Sequence, residues 1–122
     1  MENNKKTILI VDDNRELAFL HQEVLADKGY NIVTAATGAE ALTSIESLSI
    51  DLVILDLNLP DINGETLLGK IKRIKPDIKV IIMTGYEDVE SYVKTSQLGA
   101  IDYLIKPVSP KGLINVLKKA LS

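Results

Sequence analysis

Five short apolar runs, separated by segments of helical periodicity, set the frame within which this chain must fold. The runs occupy residues 8–11, 32–36, 52–55, 80–83 and 101–105. Four of them are nearly unbroken and rich in β-branched residues, the pattern of strands covered on both faces. The first intervening segment puts Leu17, Leu20, Val24 and Leu25 on one face and stops at Gly29, a residue suited to the position just past a helix end. The second opens with Thr37 and Glu40 at capping-box spacing and is expected to bury Ala41, Leu42, Ile45 and Leu48. The third carries Leu67, Leu68, Ile71 and Ile74 and is stopped by Pro76. The last begins with Ser109 as N-cap and Pro110 in the first turn, then aligns Leu113, Ile114, Leu117 and Leu121.

The fourth helical segment, about 88–98, is different. Val89, Tyr92 and Val93 are its expected apolar anchors, and Ser91, Thr95 and Ser96 are middling helix formers. It is expected to be the least firmly held element, and so a place for conformational change. The alternation reads as (βα)5, an α/β domain. Short connections and right-handed crossovers imply a parallel sheet with helices on both faces. With no repeat, low-complexity tract or linker, residues 1–122 are expected to form one domain with no output domain attached.

Composition excludes several functions. At 122 residues, 46% hydrophobic and 25% charged, the chain suits one globular core. Its net charge of −3 argues against nucleic acid as a direct ligand. Lys70, Lys72, Arg73, Lys75 and Lys79 do cluster; the main reading is a solvated face at a helix C-terminus, with a docking patch as the alternative. The absence of cysteine removes disulfides, thiolate metal sites and cysteine nucleophiles. The opening MENNKKT is polar, and no stretch approaches the ~18–20 apolar residues of a membrane span. A cytoplasmic location without membrane contact is expected.

In open α/β sheets ligands bind outside the carboxyl ends of the strands, so the residue after each run matters most. Asp12 and Asp13 follow the first run, Asp56 the third, Thr84 and Gly85 the fourth, Lys106 and Pro107 the fifth. The second and fourth runs end without an ionisable group, and the fourth offers the Thr84 hydroxyl instead. Taken singly, each has a bland reading: an aspartate after a strand is commonly a turn or N-cap residue, and Asp12, Asp13 and Asn14 could simply start a helix. Together they place three carboxylates, a hydroxyl and an ammonium on one rim. At ~4 Å and an effective dielectric near 20, one carboxylate pair costs about 4 kcal/mol. One lysine does not neutralise three carboxylates, whereas a hard divalent cation does. With Mg²⁺ on Asp12 and Asp13, Asp56 becomes a candidate nucleophile for phosphoryl transfer, assisted by Lys106 and Thr84.

These residues resemble the receiver domain of two-component response regulators, the CheY-like family. The matching motifs are ILIVDD at 8–13, LVILDLNLPDING at 52–64, VIIMTG at 80–85 and GAIDYLIKP at 99–107, in the family's order and spacing; the likeness runs over about 6–121. The resemblance implies a doubly wound, flavodoxin-like five-stranded sheet of order 2-1-3-4-5. It implies that Asp56 is the phosphoacceptor, served by a histidine kinase or histidine phosphotransfer protein. Mg²⁺, with Mn²⁺ as the alternative ion, is implied on Asp12, Asp13, Asp56 and the Asn58 backbone carbonyl. Lys106 is the implied phosphate-pairing lysine, joined to Pro107 by a cis peptide. Thr84 and Tyr103 match the family's switch pair, which reshapes the surface of the fourth helix, fifth strand and fifth helix. Asn58 and Tyr86 match positions that tune dephosphorylation. The output is expected to be a downstream domain or target protein, and a phosphorylation-linked homodimer is a further expected association. His21, the only histidine, is expected at the surface.

Three other functions compete with a switch whose only chemistry is on itself. A phosphohydrolase of the haloacid dehalogenase type wants an acidic side chain two residues after its nucleophile, where this chain has Asn58. A phosphorylation-independent binding module would commonly have lost an acidic residue or the lysine, and all are present. A flavin binder's phosphate would be repelled by three rim carboxylates.

Overall fold

The computed structural model of the protein describes residues 5–85 and 88–122. Among these residues five strands alternate with five helices. They are β1 (Thr7–Val11), α1 (Arg15–Asp27), β2 (Asn31–Ala35), α2 (Gly38–Ser47), β3 (Leu52–Leu55), α3 (Gly64–Ile74), β4 (Lys79–Thr84), α4 (Val89–Gln97), β5 (Asp102–Ile105) and α5 (Pro110–Leu121). Every strand pairing is parallel and the sheet order is β2-β1-β3-β4-β5. The doubly wound architecture expected from the alternation is the one observed.

Alternation along the strands divides the core in two. Leu9, Val11, Val53, Leu55, Val80 and Ile82 face α2 and α3, where Ala41, Ile45, Leu67, Leu68 and Ile71 cover them. The intervening Ile8, Ile10, Leu52, Ile54, Ile81 and Met83 face the other way, against Ala18 and Leu25 of α1 and Leu113 and Leu117 of α5. Each fully buried aliphatic side chain of this kind contributes about 1.5–3 kcal/mol. β2 lies at an edge and is only partly buried.

Local signals start the helices as the sequence suggests. Thr37 accepts from the Glu40 amide at 3.1 Å, and the Glu40 carboxylate reaches back to the Ala36 amide at 2.8 Å, one residue before the usual capping-box partner. Ser109 caps α5 with Pro110 in its first turn. Gly29, at φ +94°, ends α1 in the left-handed region.

Three expectations are corrected. His21 is buried on the inner face of α1, while Leu20 is 59% exposed, because the helix turns Ala18, His21 and Leu25 toward the sheet. Leu48 is exposed because α2 stops at Ser47 and Leu48 is its extended C-cap. The largest difference is in α4. Val89, Tyr92 and Val93 are 79%, 54% and 44% exposed, while Ser91 and Thr95 are buried. Thr95 Oγ1 satisfies itself within the helix, donating to the Ser91 and Tyr92 carbonyls at 2.9 and 3.2 Å. The hydroxyl face of α4 therefore packs inward and its apolar face looks out.

Candidate functional site

Strand register builds the rim. Val11 pairs with Leu55, so β1 and β3 end level and the next residues, Asp12 and Asp56, emerge side by side. The Asp56 amide donates to the Val11 carbonyl at 3.0 Å, fixing that arrangement. On the far side Thr84 pairs with Ile105, and the Lys106 amide donates to the Thr84 carbonyl at 2.8 Å. Lys106 then reaches back across β4 and β3. Its Nζ lies 2.8 Å from Asp56 Oδ2 and 2.9 Å from Asp12 Oδ2.

The remaining oxygens are used locally. Asp12 Oδ1 accepts the Asn14 amide at 2.9 Å, and Asp56 Oδ1 accepts the Asn58 amide at 3.0 Å. Asn14, not Asp12 or Asp13, caps α1, its side chain accepting from the Leu17 amide at 3.1 Å. The helix-start reading thus holds for Asn14 and the turn reading for Asp12, but neither accounts for the second Asp12 oxygen, which pairs with Lys106. Asp12 and Asp56 are buried and Asp13 is exposed, and one carboxylate oxygen from each lies within 4.8 Å of the others. Burial of the Lys106 ammonium pulls its pKa down, but the hydrogen bonds it donates to Asp56 and Asp12, and then their charges, outweigh it, so the pKa is raised. Lys106 is held as a cation at neutral pH.

Thr84 is fully buried at the end of β4, and Gly85 beside it is exposed. Tyr103 is half-buried on β5, with its ring edge-on to that of Tyr92 on α4, centroids 5.6 Å apart and planes at 77°. The Lys106–Pro107 peptide is cis. Asn58 is exposed two residues past Asp56. Tyr86 lies outside the described residues.

The loop after Asp56 is held by residues that strand-end reasoning passed over. Asn63 caps α3 by accepting from the Glu65 amide at 2.8 Å and the Thr66 amide at 3.3 Å. Gly64 sits so close to the backbone that a Cβ there would lie 2.4 Å from Leu57 Cα. Asp61 spans to α2, its carboxylate accepting the Gly38 and Ala39 amides at 2.8 and 3.0 Å. Those two bonds hold its pKa below the ordinary carboxylate value. Asn63 followed by glycine carried a cap signal in the sequence; the long reach of Asp61 carried none.

Comparison with known proteins now bears on the same rim. The profile of the response regulator receiver domain matches residues 8–118. The chain belongs to the response regulator receiver family. It is 38% identical to the transcriptional regulatory protein ZraR of Escherichia coli K12 over all 122 residues, which span 28% of that relative's length. A CheY-like receiver domain protein from Methanospirillum hungatei JF-1 superposes with a TM-score of 0.92 at 37% identity, covering 95% of this chain and 93% of that one. A response regulator from Burkholderia pseudomallei, solved with a phosphorylated aspartic acid, calcium ion and citrate, matches with a TM-score of 0.86 at 27% identity, over 97% of this chain and 67% of that one. The receiver domain is thus a regulatory module of two-component signalling. No helix among its described residues is long and apolar enough to cross a membrane.

Proposed function

We propose that this receiver accepts a phosphoryl group on Asp56 from a phosphohistidine of a partner histidine kinase or histidine phosphotransfer protein, with Mg²⁺ as cofactor. The observation that carries the reading is the Asp56 carboxylate itself: buried, bonded to Lys106 at 2.8 Å, and within 4.8 Å of oxygens from Asp12 and Asp13. Three hard oxygen donors, two of them paired with one lysine, suit a small divalent cation. Asp13, exposed and outside the Lys106 bridge, is the reading's direct ligand, with Asp12, Asp56 and the Asn58 carbonyl completing the protein's share. When bound, the cation supplies positive charge against the donor's phosphoryl oxygens.

The chain's own groups carry the transfer. An Asp56 carboxylate oxygen attacks phosphorus in line; the P–N bond to the donor imidazole breaks, and its electron pair stays with that nitrogen. Lys106, kept protonated by its carboxylate partners, then pairs with a phosphoryl oxygen. The Thr84 hydroxyl bonds a second phosphoryl oxygen and Tyr103 turns inward, a two-position element biased by new charge. The Tyr92–Tyr103 ring contact supports this coupling, since movement of Tyr103 removes a packing partner of α4. The altered α4–β5–α5 surface would act on an output domain or a separate target, or would pair two receivers. Family membership supports placing this exchange in the cytoplasm.

Intact-mass measurement after incubation with Mg²⁺ and acetyl phosphate tests the reading, beside Asp56→Asn and EDTA controls. One phosphoryl adduct that needs both Asp56 and Mg²⁺ is expected. An adduct that survives Asp56→Asn refutes the assignment. No adduct from acetyl phosphate or from a phosphorylated histidine kinase moves the domain to the phosphorylation-independent class.

A further inference from the structure

Between α3 and α4 lies a groove whose charge the domain leaves unbalanced. Glu65, Gly69, Lys70 and Arg73 recur at helical spacing along one wall, and Lys94 and Leu98 form the other. Glu65 is the only carboxylate in this lining, and Lys94 already takes it, Nζ to Oε1 at 3.2 Å. Among the described residues neither Lys70 nor Arg73 has an ion-pair partner. The surplus is positive on a chain whose net charge is −3, so it runs against the overall field of the molecule.

A solvated helix end accounts for part of this, because carbonyl dipoles favour cations in the last turn of α3. It does not account for Gly69. That residue lies in the interior of α3, where glycine weakens a helix. A Cβ there would meet nothing within 4 Å, so nothing in the domain requires its absence. Its effect is to keep the groove floor open, beside the exposed side chain of Leu98. An open floor, one apolar wall residue and two unpaired cations together describe a recognition surface.

We propose that the α3–α4 groove docks an acidic peptide segment of a partner protein. Its carboxylates pair with Lys70 and Arg73, and its apolar side chain lies over Gly69 against Leu98. A further carboxylate competes with Glu65 for Lys94. This docking does not depend on phosphorylation of Asp56. Because the cations are exposed, binding is weak and salt-sensitive.

Titration of the ¹⁵N-labelled protein with a short synthetic peptide of glutamate interspersed with leucine, followed by NMR at low salt, tests it. Saturable amide shifts confined to α3 and α4 are expected. K70Q/R73Q should weaken binding about tenfold, on the scale of two exposed charge contacts. G69L should weaken it by filling the floor, with a thermal midpoint to verify folding. Lys118→Gln/Lys119→Gln on α5 should leave it unchanged. Absence of saturable shifts, shifts centred elsewhere, or equal weakening by the α5 control overturns the proposal. Self-association of the protein alone, abolished by K70Q/R73Q, overturns it in favour of a second copy as the occupant.

Discussion

Lys106 holds two buried carboxylates with one ammonium, at 2.8 Å from Asp56 and 2.9 Å from Asp12. Lys106→Met keeps most of the side-chain volume and removes the charge, leaving two neighbouring carboxylates without a counter-charge. The expected loss is about 2 kcal/mol, read from chemical denaturation without metal. Added Mg²⁺ should recover more stability in the variant than in the parent, because the ion then supplies the missing charge. His21 gives a pH prediction. Burial lowers its pKa, with the Asp12 charge opposing and the Lys106 charge reinforcing, and among the described residues its Nδ1 has no hydrogen-bond partner. The unfolded chain therefore binds a proton more readily than the native one. Stability should be undiminished above the ordinary histidine value of ~6.5 and fall as pH drops through the lowered native value. His21→Leu should flatten that acid-side decline in thermal midpoint between about pH 8 and about pH 5. An unchanged slope would mean that His21 is not its source.

At the scale of elements, α4 stands apart from the other helices. Leu67, Leu68 and Ile71 seat α3, and Leu113 and Leu117 seat α5, whereas α4 buries only Ser91 and Thr95. Its outer tie to α3 is the Lys94–Glu65 pair, with the lysine 62% exposed, a contact worth little. Amide hydrogen exchange should be at least about tenfold faster in α4 than in α3, since few apolar contacts oppose local opening. Comparable protection in the two helices would contradict that account. The Asp61 bridge is the opposite case, a single side chain joining the loop before α3 to the start of α2. Asp61→Ala should lower the thermal midpoint at neutral pH. Because the native pKa of Asp61 is depressed, its contribution is present above the ordinary carboxylate value and vanishes as pH falls through the native one. Parent and variant midpoints should converge in acid.

For the whole molecule, the rim is a net-negative site made by folding, so a cation that binds only the native state should stabilise it. Mg²⁺ is expected to raise the thermal midpoint of the parent. Asp13→Ala should abolish that response while leaving the metal-free midpoint unchanged or higher, since it removes a repelling charge. A sharp fall of the metal-free midpoint in Asp13→Ala would show that Asp13 has a structural task the repulsion argument omits. The same global charge distribution sets the α3–α4 groove against a net-acidic chain, and salt should weaken peptide binding there.

The order of strands and helices was written into local pattern. Runs such as ILIV and LVIL bury on both faces, and Thr37, Ser109 and Gly29 cap or stop helices through bonds to residues close in sequence. The residues of the rim were legible for the same reason, because each ends a strand of a parallel sheet or lies within two residues of its end. Which face of α4 turns inward was not legible. Its apolar residues and its hydroxyls both repeat at helical spacing, and the choice depends on neighbours far along the chain. Burial of His21 depends likewise on how α1 is rotated against the sheet. The bridge from Asp61 to Gly38 joins residues 23 positions apart, and the two from Lys106 to Asp56 and Asp12 join residues 50 and 94 apart. Local energetics fixed what each segment becomes; only packing of the segments fixed which distant charges meet.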